Sequence, residues 1–597
     1  MALSKTIEKY HLYKYYGCHK TTQGFIFRVY APNAVKVSVI GDFNDWNTNA
    51  NIMNNIGEGN FELTINGACV EDRYKYYIVT NDGKKLYKAD PYGFYNDLTE
   101  NKNSRIFDID SYRWHDKKYI EQRQLLIDKP MNIYEVHLGS WKRHEDGSFY
   151  SYFDYSHELI AYVKKLGYTH IELLPITEFP FDGSWGYQVT DYFAPTARFG
   201  NPYGFMGLID AAHEAGIGVI IDWVPAHFCK DEHGLYEFDG TYLYEYSDPL
   251  KREHLEWGTR EFDYGKPYVQ DFLISSAMMF FDKYHVDGIR VDAVASMIYL
   301  DYGRKEWRPN QYGNNINLEA VDFMKNLNVA VHGEFPYVLT IAEESTDYAQ
   351  VTTPVYAGGL GFDYKWNMGW MNDTLGYVQS TMRWAIHHNL SFSMMYAYNE
   401  NYILPLSHDE VVHGKKSLLD RMPGMYEEKF ANLRTYYGFT MTHPGKKLTF
   451  MGSEIAQFIE WDYTKGLDWL LLKYPSHHSM LKYFYDLNKF YLAHSELWEL
   501  DQDPKGFEWV MEDDGRGGYV YKRFNKNRDE LMIVLNFAYT GEDNYKIKTE
   551  FNYEEVFTSD LAKYGGSGIK NKEIVNENGE ITIRVAPLSI IILSRKD

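Results

Sequence analysis

Between residues 132 and 454, short apolar runs rich in β-branched residues alternate with segments whose apolar positions recur at helical spacing, and few architectures accept that alternation. The strand candidates are NIYEVHL (132–138), HIELLP (170–175), GVIIDWVP (218–225), GIRVDAV (288–294), YVLTIAE (337–343), LGFDYKW (360–366), NYILPLSH (401–408) and KLTFMGSE (447–454). Between them, YSHELIAYVKKLG (155–167) and GFMGLIDAAHEAG (204–216) read as helices, each closed by a glycine near its C-terminus. Eight such units predict a closed (β/α)8 barrel of the TIM type, in which functional side chains gather at the C-terminal ends of the strands.

A chain of 597 residues exceeds what one hydrophobic core supports. From about residue 24 to 109, runs such as GFIFRVYAP, VKVSVIGDF, FELTI and YKYYIV alternate apolar and polar positions between turn residues, the pattern of a β-sandwich. The pattern returns after about residue 500 in GYVYKRF, ELMIVLNF, YKIKT, ITIRVAP and SIIIL. The predicted organisation is multidomain: an N-terminal β-sandwich at 1–115, the barrel at 116–495 and a C-terminal β-sandwich at 496–597. In the first sandwich, Trp46 and Trp114 read either as filler of a small core or as platforms on which sugar rings stack. The Tyr- and acid-rich stretch after the third strand, CKDEHGLYEFDGTYLYEYSDPLKREHLEW, shows no helical period and predicts a long binding loop on the functional face.

A formal charge of −22 argues against a nucleic-acid partner, because a phosphate backbone demands clustered cations. Cys18, Cys69 and Cys229 form neither a disulfide framework nor a metal-ligand spacing and read as reduced thiols. No apolar run reaches the length of a membrane span and the N-terminus carries no secretory pattern, so a cytoplasmic protein without a membrane partner is expected.

The strand ends carry the chemistry. Asp222 and His227 follow from the third strand, Arg290 and Asp292 from the fourth, Glu343 from the fifth, and His408 with Asp409 from the seventh. Arg290 and Asp292 are two residues apart, so a strand places them on one face as a charged pair. Each group has a plain structural use: a satisfied core histidine, a turn cap at Asp222, or a solvated loop pair at Asp409 and Glu410. An accidental gathering of so much charge at one end of a barrel is costly, which favours a site. A glycosidic bond is cleaved by two carboxylates roughly 5 Å apart, one attacking the anomeric carbon and one protonating the leaving oxygen. No metal-binding spacing and no phosphate-binding glycine loop accompanies these residues, so neither a metal nor an organic cofactor is expected.

The segments DWVPAHF, GIRVDAVASMIYLDY, TIAEESTD and LPLSHDEVVHGKKSLLDRMPG resemble the four signature regions of the α-amylase superfamily, family 13 of the glycoside hydrolases. SHDEVVHGKKSLL, with YEVHLGSW and SWGYQVTDYFAPTARFG, is similar to the 1,4-α-glucan branching enzymes of bacterial glycogen synthesis. The resemblance extends to FRVYAPNAVKVSVIGDFNDWN, which looks like that family's carbohydrate-module-like N-terminal sandwich. It implies Asp292 as nucleophile, Glu343 as acid/base and Asp409 as transition-state stabiliser, with Tyr187, Asp222, His227, Arg290 and His408 binding substrate. It further implies a retaining transferase that cuts an α-1,4-glucan donor, amylose or glycogen, and joins the released chain to a glucose 6-hydroxyl of an acceptor. A monomer is expected. The alternatives are a hydrolase or debranching enzyme of the same fold, and a non-catalytic glucan-binding scaffold; the presence of all three carboxylates speaks against the scaffold. Two departures are Ala226, where many relatives carry Gly or Asn, and the lack of a further module ahead of the sandwich.

Overall fold

The computed structural model describes residues 8–596. Eight strands close into a barrel in chain order: β1 (Asn132–Val136), β2 (His170–Leu173), β3 (Gly218–Trp223), β4 (Gly288–Val291), β5 (Leu339–Ala342), β6 (Tyr364–Trp366), β7 (Tyr402–Leu406) and β8 (Lys446–Phe450). The pairings β3–β4, β4–β5, β6–β7, β7–β8 and β8–β1 are parallel. Residues of all eight strands are buried along their whole length, which explains why they read as continuous apolar runs rather than alternating ones. Gly288 opens β4 because a Cβ there would lie 2.9 Å from the Leu339 Cβ of β5. Among the described residues, no helix is long and apolar enough to cross a membrane.

The chain gathers into two compact units. Among the described residues, the first comprises those up to Arg123 with Ser148–Ile160 and Leu173–Asp363; the second comprises Gln124–Gly147, Ala161–Glu172 and those from Tyr364 on.

In the first unit, Gly17–Thr21, Gly24–Tyr30, Asn60–Ile65 and Asn54–Gly57 form one sheet of the N-terminal sandwich. Ala34–Gly41, Arg73–Thr80, Lys85–Lys88 and Ser104–Arg105 form the other. Gly24–Tyr30 buries every second residue, as a half-buried strand must. The core is filled by Phe27, Val37, Val39, Tyr74, Tyr76 and Ile78, not by tryptophan. Trp46 and Trp114 are both half-buried, so the expectation that they fill this core is corrected. Trp46 donates its Nε1–H to Asp42 Oδ1 at 3.2 Å, and Trp114 stacks on His285 with ring centroids 4.0 Å apart.

The long loop after β3 is tied to this sandwich. Lys88, 2% exposed, donates through Nζ to the carbonyls of Glu232 at 2.5 Å and Tyr236 at 2.7 Å. Asn33 donates its backbone N–H to Asp239 Oδ2 and its side-chain amide to the Asp239 carbonyl, both at 2.9 Å. Part of the loop expected to be only a binding loop is therefore a structural strap.

In the second unit, Phe507–Met511, Gly518–Phe524, Glu530–Asn536, Ser589–Lys596 and Asn552–Thr558 form the larger sheet of the C-terminal sandwich. Glu542–Lys548 pairs with Glu580–Val585 across a core that includes Val520, Met532, Val534, Ile547, Ile583 and Leu593. Asp501, at the base of the sandwich, accepts Arg523 Nη2 at 3.0 Å and lies 3.3 Å from the Nζ of Lys446, the first residue of β8. All three side chains are fully buried; burial works to raise the Asp501 pKa, but Lys446, Arg523 and the neighbouring Lys447 outweigh it and hold the carboxyl below its ordinary value.

Every expected barrel strand except the sixth runs past its observed end. The overrun matters most at 288–294, where the ladder stops at Val291 and Val294–Ile298 is a helix. Between them Ala293 takes a left-handed conformation with φ of 53°, a strained one for a residue with a side chain. Leu138, expected in the first strand, instead opens the short helix Leu138–Trp141.

Candidate active site

Three neighbouring strand ends of the first unit assemble a charge cluster. Arg290, 1% exposed on β4, donates through Nη1 to both oxygens of Asp222 on β3, at 2.8 and 2.9 Å, and to Asp292 Oδ1 at 2.6 Å. Register explains the first contact, because Asp222 stands directly beside Arg290 across the β3–β4 ladder. Burial opposes the guanidinium charge, but Asp222, Tyr187, Asp292 and Glu343 outweigh it and hold the group well above the ordinary arginine value. Tyr187 adds a hydrogen bond from its hydroxyl to Asp222 Oδ2 at 2.6 Å. Asp222 is thus an acceptor for Tyr187 and Arg290 rather than a turn cap.

Asp292 lies one residue beyond β4, and its N–H donates to the Trp223 carbonyl at 3.0 Å. The kink at Ala293 that follows turns the backbone N–H of that residue onto Glu343 Oε2 at 2.8 Å. Glu343 also lies 4.0 Å from Arg290 Nη2, while its own N–H returns to the Val291 carbonyl at 3.0 Å. The strain at Ala293 therefore serves to anchor the acid that follows β5. His227, 3% exposed, sits on the short strand His227–Phe228, with its ring 4.8 Å from that of Trp257. Burial alone pushes its pKa down to about 3, so the ring is neutral.

The second unit carries His408 and Asp409 just past β7. Ser407 caps the turn they open, with its N–H and hydroxyl both donating to Glu410 Oε2 at 2.8 Å. Glu410 is buried and its pKa is pushed up to about 7, first by burial and then by the Asp409 charge, so Asp409 and Glu410 are not a solvated pair. The Asp409 side chain remains 44% exposed. Its Oδ1 lies 3.6 Å from His408 Nε2, and Lys415 Nζ donates to its carbonyl at 2.8 Å.

Glu135 on β1 was not anticipated as part of the site. It is 1% exposed, accepts the His408 backbone N–H at 2.9 Å on Oε2, and holds His408 Nδ1 at 2.6 Å on Oε1. This grip fixes the imidazole so that Nε2 faces away from Glu135, toward Asp409. The signal was present in the sequence: one acid inside the apolar run NIYEVHL, the same kind of anomaly that marks Arg290. Among the described residues, no group of three or more His, Cys, Asp or Glu side chains is arranged to hold a metal ion.

Comparison with known proteins decides the family. Residues 15–93 match the carbohydrate-binding module 48 (isoamylase N-terminal domain), 156–257 the alpha amylase catalytic domain, and 509–596 the alpha amylase C-terminal all-beta domain. The 1,4-alpha-glucan branching enzyme GlgB of Halothermothrix orenii is 50% identical over 98% of this chain and 96% of its own length. That of Desulfitobacterium hafniense is 47% identical over 98% and 96%. The chain belongs to the 1,4-alpha-glucan branching enzymes. A further branching enzyme, from Bacillus caldolyticus, is 49% identical over 94% of this chain and 85% of its own. The fold of this chain recurs in solved structures at much lower identity. A pullulanase variant from Paenibacillus barengoltzii with maltotetraose superposes with a TM-score of 0.76 at 16% identity, covering 98% of this chain and 96% of that one. Pullulanase from Bacillus acidopullulyticus gives 0.73 at 16%, covering 97% and 75%. These two show the shared fold.

Proposed function

We propose that this chain branches α-1,4-glucan by double displacement, with Asp292 as nucleophile, Glu343 as acid/base and Asp409 as stabiliser of the charge that develops on the sugar. The observation that carries the reading is the single guanidinium of Arg290 bound to Asp292 at 2.6 Å and set 4.0 Å from Glu343. A carboxylate hydrogen-bonded to a buried cation stays ionised and nucleophilic. The Asp292 carboxylate attacks C1 of a glucosyl unit, the C1–O4 bond breaks, and the Glu343 proton passes to O4 of the departing chain. Glu343 Oε2 accepts the Ala293 N–H, a hydrogen bond that holds this carboxyl in place. The resulting Glu343 carboxylate then takes the proton of an acceptor 6-hydroxyl, whose oxygen bonds C1 as the Asp292 ester breaks. The product is an α-1,6 branch with the anomeric configuration retained.

Tyr187, Asp222, His227, Arg290 and His408 are assigned to substrate. A buried bidentate Asp222, a neutral His227 and a His408 ring pinned by Glu135 are preorganised groups for sugar hydroxyls. Amylose or glycogen serves as donor and acceptor. The chain is divided into functional modules at 1–115, 116–495 and 496–597, acts as a monomer and resides in the cytoplasm.

The residue roles are tested by trapping. Glu343→Gln is expected to be inactive on amylose yet to form a covalent adduct from a maltosyl fluoride, whose leaving group needs no proton. Mass spectrometry should place the adduct on Asp292; an adduct on Asp409 or elsewhere overturns the assignment.

A further inference from the structure

We propose that Trp257 is a glucan platform, its indole taking the apolar face of a glucosyl unit next to the sugar held by His227. The inference rests on the function proposed above and adds a binding residue to the same site. Trp257 stands at the tip of a tight hairpin, between the strands Glu253–His254 and Thr259–Glu261. The second of these strands pairs with His227–Phe228, with His227 opposite Glu261, so one small sheet carries both the site histidine and the indole. Two ion pairs stiffen that sheet: Arg304 holds Glu261 in a buried pair, and Arg260 holds the partly exposed Glu253. The tip is closed by the Gly258 N–H donating to the His254 carbonyl at 2.9 Å.

The indole is held as a flat, rigid surface. His254, 3% exposed, lies against one face with ring centroids 3.6 Å apart and planes only 6° from parallel. Burial pushes the His254 pKa down to about 3, so this backing is a neutral aromatic ring. His227 at 4.8 Å and Tyr302 at 6.3 Å, centroid to centroid, stand tilted to it. Trp257 itself is only half-buried. No group among the described residues accepts its Nε1–H, and that atom is not enclosed. A half-open indole, rigidly backed and with its donor uncommitted, matches a sugar, which offers an apolar ring face edged by hydroxyls. Preorganisation of this kind lowers the ordering cost of binding.

The test uses the full chain and two readouts. Trp257→Ala is expected to raise the KM for amylose on the order of tenfold, and Trp257→Phe, which keeps a ring face, to recover most of the loss. In an Asp292→Asn background, calorimetry with maltoheptaose should show the Kd weakened by a similar factor on adding Trp257→Ala and largely restored with Trp257→Phe. Unchanged KM and Kd in Trp257→Ala overturn the platform. So does an equal loss in Trp257→Phe accompanied by a lower melting temperature, which would mark the indole as packing for the hairpin. The calorimetric arm needs no turnover, so it decides the platform even if the wild-type chain makes no branches, an outcome that strikes the proposed function alone.

Discussion

A guanidinium shared between two carboxylates does two jobs at once in this protein. Arg290 satisfies a bidentate Asp222 that would be costly to bury alone, and it donates at the same time to Asp292, the proposed nucleophile. His227 works by the opposite means, staying neutral through burial. Its pKa lies near 3, below the ordinary histidine value, so its ring is expected not to titrate between pH 5 and 9. Selective isotope labelling of histidine and ring NMR would check this, and a midpoint near 6.5 for His227 would contradict it. By linkage, the unfolded chain binds a proton here that the folded one refuses, so this residue's contribution to stability falls as pH drops from the unfolded value toward about 3. The Arg290 and Asp292 pairing was legible from two-residue spacing alone, because charge inside an apolar run demands a partner. The role of Glu135 was not, since its partner lies 273 residues away and only folding joins them.

The strand ends show where local pattern stops being informative. Apolar residues continue past β3 at Val224 and past β8 at Met451, and the polar Asp292, Ser407 and His408 that follow β4 and β7 are buried as well, so neither hydrophobic runs nor burial marks where the ladder ends. What ends it is geometry, as at Ala293, whose positive φ no residue preference foretells. Likewise Asn552–Thr558 went unread because NYEEVFT carries three polar residues before its apolar end, although its pairing with Ser589–Lys596 is firm. The loop after β3 was legible as a long excursion but not as a strap, since the lysine that holds it comes from the other domain. Burial pushes the Lys88 pKa down to about 8. Lys88→Met is expected to leave two buried carbonyls without their donor, at a cost of about 1–3 kcal/mol each at most. Limited proteolysis should then cut within residues 229–257 faster than in the wild type, and an unchanged cleavage rate would show that the strap is held by other contacts.

At the scale of the molecule, the order of modules was readable because each has its own period: two in the sandwiches, strand and helix in the barrel. The joints were not, and one of them is the buried trio of Lys446, Asp501 and Arg523. Asp501→Asn would strand two buried cations, and a loss of about 3–5 kcal/mol is expected. Denaturation followed by intrinsic fluorescence should show a lower midpoint, whereas wild-type stability would mean the trio contributes nothing net. The central claim, transfer rather than hydrolysis, is decided by one incubation with pure amylose. If an acceptor 6-hydroxyl intercepts the glycosyl-enzyme in place of water, long helical runs shorten while the number of reducing ends stays nearly constant. The account predicts a sharp fall in iodine absorbance with little rise in reducing sugar, and new reducing ends released only when isoamylase is added afterwards. Reducing ends that climb in step with the fading iodine colour, with nothing left for isoamylase to release, would contradict it.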